Sequence, residues 1–143
     1  MVAPILQVAA KAVIVDGAGR LLLLRESRKA TNAKSGLYGL VGGRLNPGEG
    51  FFDALAREVK EETGLIVSPI KPIFLGEWRS KILGDNYHVV ATFFWCHTDS
   101  TAVKLSDEHD HFIWINPSDY PEYPIMQPDD LAIDQLIKEL RQP

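Results

Sequence analysis

The chain has 143 residues, 45% of them hydrophobic and 24% charged, which suits a single domain able to bury its own core. Its formal net charge is −4 with no long basic run, which argues against a nucleic-acid polymer or an anionic membrane surface as the main partner. A small anionic substrate stays open, provided that clustered cations or a metal ion supply positive charge.

The N-terminal stretch is apolar, but Lys11 and then Asp16-Gly17 interrupt it well short of the roughly 20 residues that a membrane span needs. No anchor or leader is expected. Residues 8–15 are rich in branched side chains, run into Asp16-Gly17-Ala18-Gly19, and are followed at once by the leucines of 21–24. This is the pattern of a strand, a turn and a strand. Residues 26–36 are polar and turn-like, and 37–41 form a short apolar strand leading into Gly42-Gly43. The turn Asn46-Pro47-Gly48 precedes a helix over 50–62, in which Phe52, Leu55, Ala56 and Val59 recur at helical spacing and Gly64 acts as the stop.

Beyond the helix, 65–67, 73–78 and 88–96 are expected as strands, 112–115 as another, and 131–140 as a closing helix. The single cysteine, Cys96, lies at the end of an apolar run and is expected to be buried, without an internal disulfide, in a reducing cytoplasm. No repeat or linker divides the chain, so residues 1–143 are taken as one domain. The expected fold is α/β (α+β), a mixed sheet sandwiched between two helices.

The chemistry is concentrated in residues 43–65, GRLNPGEGFFDALAREVKEETGL. Its fixed positions are Gly43, Glu49, Arg57, Glu58, Val59, Glu61, Glu62, Gly64 and Leu65. With ordinary residue usage, a chance match of this kind anywhere in such a chain is on the order of one in ten million. On a helix, Glu58, Glu61 and Glu62 stand at i, i+3 and i+4, so three carboxylates share one face and repel one another by a few tenths of a kcal/mol per pair. An isolated glutamate-rich face is usually only solvated. Here the strand, the glycines and the spaced Glu49 surround it, and a hard divalent cation such as Mg²⁺ or Mn²⁺ is the natural compensation. Arg57, four residues from Glu61 and from Asp53, is suited to orient a carboxylate.

This segment resembles the complete Nudix box, with every fixed position matched. The resemblance implies a loop–helix–loop in which Glu58, Glu61, Glu62 and the backbone carbonyl of Gly42 or Gly43 bind Mg²⁺ or Mn²⁺. It also implies hydrolysis of a phosphoanhydride bond in a nucleoside diphosphate linked to another group. Glu61 and Glu62 are the first choices as direct ligands, and Glu58 is a ligand or the base. Members of the family also draw the base from a loop outside the box. The acidic loop 106–111 offers Glu108 as a further ligand or base, with Asp107 and His109 next. His88 and His97, in the long strand, read as packed or surface residues.

For the substrate, Arg25, Arg28, Lys34, Arg44, Arg79 and Lys81 are candidate phosphate contacts, and Tyr38, Trp78 and Tyr87 are candidate stacking partners for a base. A (deoxy)nucleoside triphosphate, oxidised forms included, is the favoured substrate; a sugar nucleotide or ADP-ribose is the alternative. A catalytically silent nucleotide-binding module and a divalent-ion-binding structural protein are the contrasting classes. Either a monomer or a homodimer is compatible with the sequence.

Overall fold

The computed structural model describes residues 3–28 and 34–142; the middle of the turn-like stretch 26–36 lies outside the described residues. Among the described residues, seven strands and two helices run in the order β1 (Ile5–Asp16), β2 (Leu21–Glu26), β3 (Tyr38–Gly39), β4 (Val41–Arg44), α1 (Phe51–Thr63), β5 (Ser68–Ile82), β6 (Asp85–Thr98), β7 (His109–Ile115) and α2 (Asp129–Leu140), with a short 3₁₀ helix, Pro117–Glu122, before α2. The strands form one mixed sheet. β1 and β6 run parallel over twelve residue pairs, from Ile5↔Tyr87 to Asp16↔Thr98, and the other named pairs are antiparallel.

Alternation along β1 and β2 sorts the core into two layers. Ala10, Ala12, Ile14, Leu22 and Leu24 pack with Leu55 and Val59 of α1, while Ala9, Val13, Leu21 and Leu23 pack with Ala132, Ile133 and Leu136 of α2. One helix therefore covers each face of the sheet. The full burial of Leu55 and Val59 contributes roughly 1.5–3 kcal/mol each and fixes α1 in place.

The hairpin β1–β2 separates soon after its turn, because Val15↔Leu21 is its registered pair. The chain segment 38–44 occupies the opening, with β3 on β2 (Arg25↔Tyr38) and β4 on β1 (Ala10↔Gly43, Lys11↔Gly42). The single strand expected over 37–41 is thus two short strands with different partners. A periodicity of two cannot reveal that a run changes neighbours halfway.

Two other expectations are corrected. Residues 65–67 are not a strand: Leu65 N–H is held by Thr63 Oγ1, which itself donates to Val59 O, so the chain is still completing the helix end there. The apolar face of α1 is also shifted, since Phe52 is 55% exposed and Ala56 is exposed, while Ala54, Leu55, Val59, Glu62 and Thr63 are buried. Phe52 instead lies edge-on to Phe94 at the rim, with 5.2 Å between ring centroids. The helix boundary itself holds, with Gly64 in the left-handed region at φ 73° and donating to Lys60 O.

The strand expected over 73–78 is much longer and ends in a two-residue turn in which Leu83 (φ 50°) and Gly84 (φ 87°) both adopt positive φ. Such turns match the twist of paired strands but favour Asn or Gly over Leu. Leu83 is fully exposed and gains no burial in return. Leu83→Asn should raise stability by about 1 kcal/mol, seen as an increase of a few degrees in Tm. A lower Tm would show that the turn is held by something other than backbone preference.

Candidate functional site

The two glycines of β4 bring the backbone against α1. Gly42 N–H donates to Glu62 Oε2 at 3.1 Å, and a Cβ built on Gly43 would stand 2.7 Å from the carboxylate of Glu58. Any side chain at residue 43 would occupy the space that Glu58 now fills. The three helix glutamates differ sharply in surroundings. Glu62 is 5% exposed on the buried side of the helix, the Glu58 side chain is 16% exposed and that of Glu61 is 58% exposed. The common acidic face expected from spacing is therefore a gradient from interior to solvent.

Burial pushes the Glu62 carboxyl well above the ordinary carboxylate range; Glu58 and Glu108 add to the rise, while Lys11 opposes it. A carboxylate this buried needs a compensating cation if it is to be charged at neutral pH. Lys11 supplies part of that charge. Its Nζ donates to Leu40 O at 3.0 Å and stands 3.8 Å from Asp129 Oδ2, which also accepts from Leu40 N–H at 2.9 Å. In the sequence Lys11 served only to interrupt an apolar run. A cation in the middle of a buried strand was itself the missed signal.

Arg57 is the brace of the site, but its main partner is not the one expected. Its Nε and Nη2 donate to the two oxygens of Glu49 at 2.7 and 2.9 Å, a paired geometry that holds the Glu49 carboxyl down to about 2. Nη1 reaches Glu58 Oε1 at 3.0 Å and Glu61 Oε2 at 3.3 Å, and Nη2 also reaches Arg44 O at 3.2 Å. Glu49 in turn accepts from Asn46 N–H at 2.9 Å. One guanidinium thus ties the turn before the helix to two of its carboxylates. Asp53, the other partner suggested by spacing, takes no bond from it among the described residues.

From the far side comes the loop before β7. Ser27 N–H donates to Glu108 O at 3.0 Å, which fastens this loop to the end of β2. Ligand atoms of Glu62, Glu108 and His109 all lie within 4.8 Å of one another. His109 is 9% exposed, and its Nε2 stands 3.8 Å from Glu62 Oε1 and 3.9 Å from Glu26 Oε1. Desolvation brings the imidazole down to about 4, so it is neutral at ordinary pH. Burial raises the Glu26 carboxyl. Glu26 was not singled out in the sequence, because an acidic residue at the end of a strand is commonplace. Asp107 is exposed and belongs to no such group among the described residues.

The candidate substrate contacts are spread more widely. Arg25 Nε donates to Asp110 Oδ1 at 2.6 Å, and its guanidinium lies 5.9 Å from the centre of the Tyr38 ring. Tyr38 is 8% exposed, held edge-on by Tyr123 and His111, so its ring face is largely covered. Arg28 is exposed, with its backbone N–H on Asp110. Arg44 bonds Gln7 and covers Tyr87. Trp78 borders an open depression of about 310 Å³ with Glu77, Gln127, Pro128, Asp130 and Leu131, and Lys34 Nζ lies 5.6 Å from its ring centre. Asp130 Oδ1 is buried there without a hydrogen-bond partner. His88 pairs with Glu77 and His97 with Asp99, both away from the glutamate cluster.

Comparison with known proteins gives the family and the fold. Nucleoside triphosphatase NudI of Escherichia fergusonii is 31% identical over 115 residues, covering 76% of this chain and 79% of that protein. A MutT protein from Methanosarcina mazei superposes with a TM-score of 0.80 at 25% identity, covering 99% of this chain and 100% of the other. A MutT NUDIX hydrolase from Burkholderia pseudomallei gives a TM-score of 0.76 at 26% identity, over 92% and 98% of the two chains. The family model for the NUDIX domain matches residues 5–136, and the chain belongs to that family of hydrolases.

Proposed function

We propose that this Nudix hydrolase cleaves a phosphoanhydride bond of a (deoxy)nucleoside triphosphate, oxidised forms included, with water as the nucleophile and a nucleoside monophosphate and pyrophosphate as products. The observation that carries this reading is the buried Glu62 carboxylate, which shares one small space with Glu108 and His109 beneath the Nudix-box glycines. The donor set fits Mg²⁺ or Mn²⁺: Glu62, Glu58 and Glu108, with Glu61 and the backbone carbonyl of Gly42 or Gly43 at the rim. Such a cation, when bound, withdraws charge from the phosphate oxygens and lowers the pKa of a coordinated water.

The rest is the work of the chain. Gly42 N–H holds one oxygen of Glu62, which leaves the other free to face the site. Arg57 fixes the direction of Glu58 while itself held by Glu49. Glu108, exposed and borne on a loop outside the helix, has a second carboxylate oxygen besides the one it would give a cation, and with it is the base that takes the proton of the attacking water. On the other side of the sheet, Trp78 offers a stacking face and Asp130 Oδ1 an unfilled acceptor for a base N–H. Arg25 and Arg28, at the end of β2, and Arg44, at the end of β4, are the cations assigned to the phosphate chain.

The substrate is a free nucleotide rather than a polymer, and the chain works as a monomer or homodimer. No helix among the described residues is long and apolar enough to cross a membrane. We assign the enzyme to the cytoplasm, where its lone Cys96, fully buried and pushed up to about 12 by that burial, stays an unreactive thiol.

The test is a panel of triphosphates, sugar nucleotides, ADP-ribose and dinucleoside polyphosphates assayed with Mg²⁺. Release of a monophosphate from triphosphates is expected. Turnover confined to ADP-ribose or sugar nucleotides would transfer the assignment within the family, and silence on the whole panel would favour a binding module. Within the active enzyme, Arg57→Lys should lower kcat about 10- to 100-fold with little change in Tm. A point charge cannot replace the paired bonds to Glu49 while also steering Glu58. An unchanged kcat would exclude Arg57 as a positioning residue.

A further inference from the structure

Resting on the metal-dependent reading above, we propose that His109 contributes an imidazole nitrogen to the cation cluster, so that the site holds Mn²⁺ in a mixed nitrogen and oxygen shell and prefers it to Mg²⁺. Three observations carry this. The ligand atoms of Glu62, Glu108 and His109 lie within 4.8 Å of one another. Donors around an octahedral ion with bonds of about 2.1 Å are separated by roughly 3 to 4.2 Å, so only a small closure is needed.

His109 is also unusual among the buried polar residues. Its side chain is 7% exposed, its Nδ1 has no hydrogen-bond partner, and its Nε2 is beyond hydrogen-bond reach of Glu62 Oε1 (3.8 Å) and Glu26 Oε1 (3.9 Å). A buried imidazole kept only for packing would be expected to satisfy at least one ring nitrogen. This one is aimed between two carboxylates and left unpaired. The charged groups around it are Glu26 from β2, Glu62 from α1, its chain neighbours Glu108 and Asp110, and Lys11 from β1.

Finally, the donor chemistry discriminates between ions. Three or four carboxylates alone suit Mg²⁺, which keeps several waters and seeks oxygen. An added imidazole favours Mn²⁺ over Mg²⁺, because affinity for nitrogen donors rises along the transition series while Mg²⁺ gains little from them. Glu26, its side chain 26% exposed, lies 3.9 Å from the same Nε2 and adds negative charge beside the cation position.

The experiment is pulsed electron paramagnetic resonance on the wild-type protein loaded with Mn²⁺, together with Mn²⁺ and Mg²⁺ affinities of the wild type and of His109→Gln. Expected are a ¹⁴N modulation of the kind given by a directly bound imidazole, its loss in H109Q, and a fall in Mn²⁺ affinity of about 10- to 100-fold with Mg²⁺ affinity changed less than about threefold. Bound Mn²⁺ without ¹⁴N modulation in the wild type would overturn the proposal and leave the carboxylate site standing. Equal losses for both ions in a folded H109Q would also overturn it. If neither ion binds the wild type, the metal-dependent reading itself fails, and with it this inference.

Discussion

Glu62→Gln should leave a folded protein whose turnover has fallen by more than the roughly 10- to 100-fold that outer-shell partners of a metal carry. Gln keeps the shape of the side chain and an amide oxygen that can still accept from Gly42 N–H, so the helix stays seated. What it removes is the charge. In the metal-free protein that charge is a burden, since Glu62 is 5% exposed with Glu58 and Glu108 nearby. The sign of the pH effect follows. A carboxyl whose folded pKa lies above its unfolded value of about 4.5 favours folding at low pH, and this contribution is lost as pH rises toward the folded value.

The metal-free wild type should therefore lose stability across the range above pH 4.5, and E62Q should show a flatter profile with an equal or higher Tm at pH 8. Added Mg²⁺ or Mn²⁺ should raise the Tm of the wild type and not that of the variant. Thermal melts with and without metal, alongside steady-state kinetics, check all three results. Near-normal turnover in E62Q would remove the helix from the chemistry, and a large fall in its metal-free Tm would show that the negative charge serves the fold.

The legibility of this molecule in its sequence follows a physical boundary. Local signals were reliable: the stop at Gly64, the hairpin after Asp16 and the burial of Cys96 depend on neighbours within a few residues. Helical spacing likewise placed Arg57 within reach of Glu61, because a helix converts spacing into direction, but it did not show the change in burial from Glu62 to Glu61. What escaped required contacts across the sheet. Nothing local says that the run over 37–41 leaves β2 for β1, or that His109, paired in register with Glu26 across β7 and β2, comes up against Glu62.

Phe52 illustrates the opposite error. Helical spacing placed it inside, but it is 55% exposed and meets the sheet only edge-on, at the Phe94 ring of β6. Lys11 shows a third kind of gap. Its charge was visible, but its use depends on Leu40 and Asp129, which lie 29 residues and more than a hundred residues further along the chain.

The adjacent glycines of β4 should separate stability from chemistry. At Gly42 the backbone has φ 138°, and a Cβ would stand 2.2 Å from Ala10 O and 2.8 Å from Lys11 Cα. Both obstacles are backbone of a central strand and cannot move aside. Gly42→Ala should cost about 3–5 kcal/mol from strained backbone and overpacking together, a fall in Tm on the order of 10–20 °C. At Gly43 the obstacle is the carboxylate of Glu58, 2.7 Å from the same kind of added carbon, and a side chain can swing away. Gly43→Ala should therefore cost only about 1 kcal/mol of stability, a few degrees in Tm, while displacing Glu58 from Arg57. Its kinetics then decide the role of Glu58. Weakened metal binding, measured by calorimetry, together with reduced kcat would make Glu58 a ligand, whereas reduced kcat at unchanged metal affinity would make it the base in place of Glu108. Full activity in Gly43→Ala would mean that Glu58 needs neither its position nor its contact with Arg57, and the Nudix-box glycine would then serve only the fold.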